Sequence, residues 1–148
     1  MPSIIPSYIY TLFASIIVGT LIITACGLSS ANVKSEAEKQ QLANIAEYVA
    51  TKSLELASNA PADNLTLTST LDIPALIGSQ RYWIQITNDS QQSWVQVGFG
   101  TAALSSAQQL NMPFFVKASG VYISGSGPAL LQYHSDTAGD YLSLYGGS

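Results

Sequence analysis

Residues 4–28 read IIPSYIYTLFASIIVGTLIITACGL, a run of 25 residues without a charged side chain. A bilayer has a hydrocarbon core about 30 Å thick, which a helix of about 20 apolar residues can cross. Pro6 falls in the first turn of such a helix, where its missing N–H group has no helical acceptor in any case. The stretch therefore predicts an apolar helix that is long enough to span a membrane.

The next segment is also helical in pattern, but it is amphipathic. Leu42, Ile45, Ala46, Val49 and Leu56 recur at helical spacing and form one stripe. No glycine or proline interrupts residues 29–60, and a proline follows at position 61. We expect one helix that ends near residue 58, apolar over residues 4–28 and amphipathic over residues 29–58. Residues 1–58 then form one domain.

The remainder, residues 62–148, changes to the two-residue period of β-strands. Leucine alternates with hydroxyl residues over 65–71, and the segments 82–87 and 94–97 flank a turn at 88–92. Seven short strands separated by turns are typical of an antiparallel sandwich. We place the other four at residues 114–118, 121–124, 129–133 and 141–145. The predicted fold class is α+β: one long N-terminal helix followed by a small, Ig-like antiparallel β-sandwich head.

Two of these strands allow their faces to be assigned. Alternation places Ile84 and Ile86 on one face of their strand and Trp83 on the other. On the next strand, Val95 and Val97 face oppositely to Trp94. We expect the isoleucines and valines to form the core, and both tryptophans to face outward.

The composition excludes several classes of protein. Only 9% of the residues are charged and the net charge is −4, which disfavours a nucleic-acid partner. One cysteine and one histidine exclude an internal disulfide and a multi-histidine metal site. Ser135, His134 and Asp136 are neighbours on a predicted strand, so their side chains alternate between faces. We therefore expect no enzyme activity, no catalytic residues, no cofactor and no metal site.

The apolar segment has two other interpretations. A secretory signal peptide needs a basic N-terminal region, but the first charged residue is Lys34. Residues 23–26, Ile-Thr-Ala-Cys, fit the cleavage motif of a lipoprotein. That motif keeps open an alternative function, a membrane-anchored or lipidated surface module that binds a ligand through its β-rich head.

An apolar helix that continues into an amphipathic helix and then a β-rich head resembles the type IV pilin and archaellin superfamily over the whole chain. Bacterial members begin with an aromatic residue and have a glutamate at the fifth position, where this chain has Met1 and Ile5. These departures make it most similar to an archaeal type IV pilin. The resemblance implies that the sequence is the mature form, from which a peptidase has removed a short basic leader.

The resemblance also implies a function: a structural subunit that polymerises through its apolar helix into an extracellular filament. Its partners would be further copies of itself, the cytoplasmic membrane before assembly, and surface receptors or glycans. Small residues recur every four positions at Ser7, Thr11, Ser15 and Gly19, which would let helices approach closely. The residues expected to pack in the polymer are Ile4, Ile5, Ser7, Ile9, Thr11, Leu12, Phe13, Ser15, Ile16, Gly19, Leu21, Ile22 and Ile23.

The head contains two N-glycosylation sequons, Asn64-Leu-Thr and Asn88-Asp-Ser. Such sequons indicate glycosylation only in a domain that lies outside the cytoplasm. Sugar attached there would cover a surface with few charges. We expect Asn64 at the start of the first strand and Asn88 in a hairpin turn. Because turn tips protrude, Asn88 is the stronger expectation of the two.

Overall fold

One helix, α1, spans Ile4–Ser58 without interruption, in agreement with the sequence pattern. The computed structural model describes residues 4–60, 64–102 and 107–147, with side chains from Tyr8 onward. The backbone N–H of Asn59 donates to the carbonyl of Glu55 at 3.0 Å and closes the last turn. Neither Gly27 nor the Ser29-Ser30 pair breaks the helix, because a single glycine in a helix costs only about 1 kcal/mol.

The chain divides into two compact units, Met1–Ala37 and Glu38–Ser148. The first unit contains α1 up to Ala37, including its apolar segment. The second contains the rest of α1 together with, among its described residues, seven strands. These strands are β1 (Leu65–Leu71), β2 (Tyr82–Asn88), β3 (Ser93–Phe99), β4 (Gln108–Asn111), β5 (Lys117–Ile123), β6 (Ala129–Asp136) and β7 (Gly139–Gly146).

All seven strands belong to one sheet, in the order β1-β6-β7-β5-β2-β3-β4. Only the β5–β7 pair is parallel among the pairs of named strands. The α+β class, the long helix and the mainly antiparallel head are therefore confirmed. The predicted sandwich would have two facing sheets. Here a single sheet forms one layer, and the amphipathic part of α1 forms the other layer over it.

The core of the second unit lies between α1 and one face of the sheet. Leu42, Ile45, Ala46 and Val49 are all buried there, as their helical spacing predicts, while Leu56 is partly buried. The sheet contributes apolar side chains from both predicted core sets, and all of them are at most 1% exposed: Ile84, Ile86, Val95 and Val97. Each such side chain stabilises the fold by about 1.5–3 kcal/mol relative to an exposed position.

Two strands differ from the sequence prediction. Strand β5 begins only at Lys117, so it takes in the end of the strand predicted at 114–118 and most of the one predicted at 121–124, and it passes through Gly120 at φ 137°. A Cβ atom at Gly120 would collide with the carbonyl oxygen of Leu144 on β7, so only glycine fits there. Strand β4 is not among the strands predicted from the sequence, because QQLN has no alternation to indicate a strand.

Candidate functional site

The apolar segment of α1, residues 4–28, is exposed along its described length. Leu12 is 50% exposed and Ile23 is 73% exposed. Within the described residues, α1 is the helix that is long and apolar enough to cross a membrane, and none of its most apolar 18-residue window is buried. Continuous apolar surface of this extent is unfavourable in water, so the segment requires lipid or other protein around it.

The structure locates most of the residues expected to pack in a polymer. The backbones of Ile4, Ile5 and Ser7 lie in α1, and their side chains fall outside the described ones. Thr11 and Ser15 are exposed, and Gly19 is half-exposed. The large apolar members of the set are all exposed: Ile9, Leu12, Phe13, Ile16, Leu21, Ile22 and Ile23.

A shallow groove follows the small residues along one side of α1. Thr11 and Ser15 line both of the adjoining depressions that form it, and at Gly19 an added Cβ would meet no described atom within 4 Å. The other lining residues are Tyr8, Leu12, Ala14, Val18 and Ile22. Tyr8, Ala14 and Val18 were not among the predicted packing residues, although they lie three or four positions from Thr11 or Ser15. Small residues between larger apolar ones give a helix surface that a second helix can approach closely.

The hydroxyl groups of Ser15, Thr20 and Thr24 in the apolar segment bond to the helix itself. Ser15 Oγ donates to the carbonyl of Thr11 at 2.9 Å, and Thr24 Oγ1 donates to the carbonyl of Thr20 at 2.8 Å. Thr20 Oγ1 donates in the same way to the carbonyl of Ile16. Back-bonding of this kind satisfies hydroxyls without a second chain. Close packing here would therefore depend on the small size of these side chains.

The two sequon asparagines occupy different environments. Asn64 is exposed and directly precedes β1, with a left-handed φ of 67° that asparagine tolerates better than most residues. Asn88 is half-buried and is the last residue of β2, so it lies next to the hairpin turn and not in it. Its Oδ1 accepts the backbone N–H of Ala118 at 2.8 Å, and its Nδ2 donates to the carbonyl of Asp89 at 2.8 Å.

The turn after β2 is held by Asp89. Its Oδ1 accepts the backbone N–H groups of Gln91 and Gln92, both at 2.7 Å. These bonds stabilise the charged carboxylate and hold the pKa of Asp89 below its ordinary value. The backbone N–H of Asp89 also donates to the carbonyl of Gln92 at 2.9 Å. The hairpin tip therefore has a defined conformation.

The tryptophans lie on the sheet face away from α1, as predicted, but Trp83 is only 1% exposed. Its indole lies over Gly98 of β3, where a Cβ would come within 2.7 Å of a ring carbon. Trp94 is half-buried. The expectation that Trp83 faces outward is thus correct for the sheet face and wrong for solvent exposure. The alternation of residues within β2 does not show that Gly98, opposite Trp83 on β3, leaves room for the indole ring.

The residues near His134 bond to separate partners. His134 Nδ1 lies 2.8 Å from Thr66 Oγ1, and Ser135 Oγ donates to Asp140 Oδ1 at 2.9 Å. Asp136 Oδ1 accepts the backbone N–H of Thr137. Among residues 4–60, 64–102 and 107–147, no three side chains of His, Cys, Asp or Glu are grouped as a metal site would require.

The architecture is one long helix with an apolar N-terminal part, followed by a β-sheet, and it is compatible with a pilin-like fold. Comparison of the chain with protein-family models, with curated proteins and with solved structures finds no match.

Proposed function

We propose that this chain is a non-enzymatic structural subunit, a pilin, that polymerises through the apolar segment of α1 into an extracellular helical filament. An adhesive pilus of the archaeal type IV class is the filament it most resembles. The observation that carries the proposal is the exposed apolar segment in a chain whose core, between the sheet and the amphipathic part of α1, contains none of that segment. Because that core does not use the apolar segment, the segment is available for other copies.

In this proposal the apolar segment lies first in the lipid bilayer and then in the core of the filament. Lipid would hold it before assembly, because a bilayer accepts a helix of this length and composition. Transfer from lipid to a filament core gains little from the hydrophobic effect, since lipid tails are as apolar as leucine. The preference for the filament must come from close packing, and the groove along Thr11, Ser15 and Gly19 supports it. Release of a subunit from the filament into water would expose the apolar segment, which is strongly unfavourable.

The head suits an extracellular position. It carries few charges and two sequons, and Asn64 is exposed. In the proposed filament, copies of the chain are the main partners, the membrane is the partner before assembly, and receptors or glycans are partners of the head. Repetition of one head-to-tail contact generates an open helical array.

Negative-stain microscopy of material sheared from the source cells tests the proposal directly. We expect filaments whose main component, identified by peptide mass spectrometry, is this chain with residues 4–28 retained. Separate membrane particles without filaments would contradict it. Intact mass then tests the alternative: a lipid on a new N-terminal Cys26, which is exposed on α1, would identify a lipidated surface module instead.

A further inference from the structure

Strand β1 lies at one end of the sheet, and its outer edge has no partner strand in the part of the chain that the structure describes. Its inner edge pairs with β6 over seven consecutive residues, from Leu65 opposite Ser135 to Leu71 opposite Ala129, without a bulge. The outer edge therefore presents a regular row of main-chain donors and acceptors. Such an edge is a ready template for pairing with another chain.

The sequence of β1 lacks the residues that usually protect an edge strand against pairing. Proteins protect edge strands with charges, prolines, bulges or short length. The sequence of β1, LTLTSTL, contains no charge, proline or glycine. Strand β4, at the opposite end of the sheet, is only four residues long, which is itself a form of protection. Of the two end strands, β1 is the one suited to pair.

The β1 sequence reads almost the same in both directions about Thr68. If two copies pair antiparallel with Thr68 opposite Thr68, then Leu65 lies opposite Leu71 and Thr66 lies opposite Thr70. Directly opposite residues share a face of the sheet, and threonine pairs across strands are favourable. Thr66, Thr68 and Thr70 are all exposed. Thr66 Oγ1 bonds to His134 Nδ1 and Thr68 Oγ1 accepts from Gln132 Nε2, both on β6, but a hydroxyl can donate and accept at once, so these bonds leave capacity for a second partner.

We propose that the outer edge of β1 pairs antiparallel with the same edge of a second copy, in a register centred on Thr68. The contact is isologous, with a twofold axis at Thr68. A filament built from one repeated head-to-tail contact has no such axis. The β1 contact would therefore join subunits that are not successive in one filament, which extends the proposed function to association between filaments or between free subunits.

The strength of this contact depends on how many copies are held together. Two seven-residue strands present much less surface than the about 1,200 Å² at the lower limit of stable interfaces. A single pair of heads then associates weakly. Many heads in an array would associate with far higher avidity, because each further contact forms at a high effective concentration.

Cross-linking tests both the contact and its register. The full, unglycosylated chain is purified in detergent with Cys26→Ser, which removes its one cysteine. Single Thr66→Cys, Thr68→Cys and Thr70→Cys variants are then treated with a thiol cross-linker that spans about 8 Å. In the proposed register, the two Cβ atoms at position 68 lie about 5 Å apart. The two at position 66 are offset by four residues, about 14 Å along the strands.

We expect covalent dimers from Thr68→Cys, and at least tenfold fewer from Thr66→Cys or Thr70→Cys alone. An equal mixture of the Thr66→Cys and Thr70→Cys chains should cross-link about half as well as Thr68→Cys, because positions 66 and 70 face each other only in the mixed dimers, which are about half of all dimers. Equal cross-linking by all three single variants indicates random collision in the micelle and overturns the proposal, as does the absence of dimers from Thr68→Cys. Filament formation is not needed for this result, so the proposed function can fail independently.

Discussion

The side chain of Asn88 at the end of β2 accepts the backbone N–H of Ala118 on β5 at 2.8 Å. Its amide nitrogen also donates to the carbonyl of Asp89, so both ends of the side chain are engaged. The residue that the sequence indicates as a sugar acceptor thus connects two strands of the sheet.

Removal of the Asn88 amide should destabilise the head. Asn88→Ala leaves the part-buried N–H of Ala118 without its acceptor, and we expect a loss of about 1–3 kcal/mol. Gln91→Ala, at an exposed position of the same hairpin, is the matched control and should stay within about 0.5 kcal/mol. Tryptophan fluorescence during urea unfolding measures both. Equal stability of the two variants would show that the Ala118 contact contributes nothing.

Glycan should occupy Asn64 in preference to Asn88 in native material. Asn64 is exposed, whereas Asn88 is half-buried and its amide is engaged with Ala118 and Asp89. The structure thereby reverses the order that turn geometry alone suggests. Glycopeptide mass spectrometry gives the occupancy of each site. Sugar found only at Asn88 would contradict this order, and unmodified peptides at both sites would remove the sequons as support for an extracellular head.

The hairpin after β2 should weaken in acid through Asp89. Two backbone N–H bonds lower the pKa of this carboxyl in the folded state below its unfolded value of about 3.9. Its contribution is therefore fully present above the unfolded pKa, and it is lost as the pH falls through the folded pKa. Asp89→Asn retains an acceptor oxygen but does not titrate.

The measurement is the thermal midpoint of the head from pH 2 to pH 7 in both chains. We expect a constant difference between wild type and Asp89→Asn above about pH 5, and a smaller advantage for wild type as the pH falls below about 4. Parallel profiles over the whole range would show that the carboxylate bonds do not stabilise the turn.

Gly19→Leu should reduce filament yield while membrane insertion is retained. A leucine at Gly19 fills the groove that Thr11 and Ser15 line, and it keeps a second helix at a greater distance. Gly27→Leu makes the same change outside the lining of that groove, about 80° further around the helix. Sheared-filament yield and membrane-fraction immunoblots measure the two effects. Normal filaments from Gly19→Leu cells would exclude the groove as the packing surface.

Gly120→Ala should disrupt the parallel pairing of β5 and β7. The substitution strains a backbone at φ 137° and drives a Cβ into the carbonyl oxygen of Leu144. Gly100→Ala is the matched control: its φ is 107°, but its Cβ would meet no described atom within 4 Å. We expect a loss of about 1–3 kcal/mol for the control from strain alone, and a larger loss for Gly120→Ala. Equal losses in urea unfolding would argue against the close strand contact.

The sequence predicted those features that depend on local patterns. The continuation of α1 to a point near residue 58 followed from the absence of glycine and proline in residues 29–60 and from the proline at position 61, and the buried stripe from Leu42 to Val49 followed from helical spacing. The core faces of β2 and β3 followed from alternation. None of this required knowledge of which strands are neighbours.

The features that the sequence did not predict depend on distant partners. β1 pairs with β6 and β5 pairs in parallel with β7, and no local pattern indicates either neighbour. The burial of Trp83 depends on Gly98, and the engagement of Asn88 depends on Ala118, which is 30 residues away. The lining of the groove on α1 is different: Tyr8, Ala14 and Val18 lie three positions from Thr11 or Ser15, so helical spacing alone could have identified them.

The back-bonded hydroxyls of α1 have a consequence for movement of the helix between environments. Ser15, Thr20 and Thr24 already donate to carbonyls one turn earlier, so these groups need neither water nor a neighbouring chain to satisfy them. In the proposed assembly, a helix of this kind would pass from a bilayer into a dry protein contact without breaking or forming a side-chain hydrogen bond at these positions. The polar terms cancel between the two states, and small differences in van der Waals contact are then sufficient to determine which state is populated.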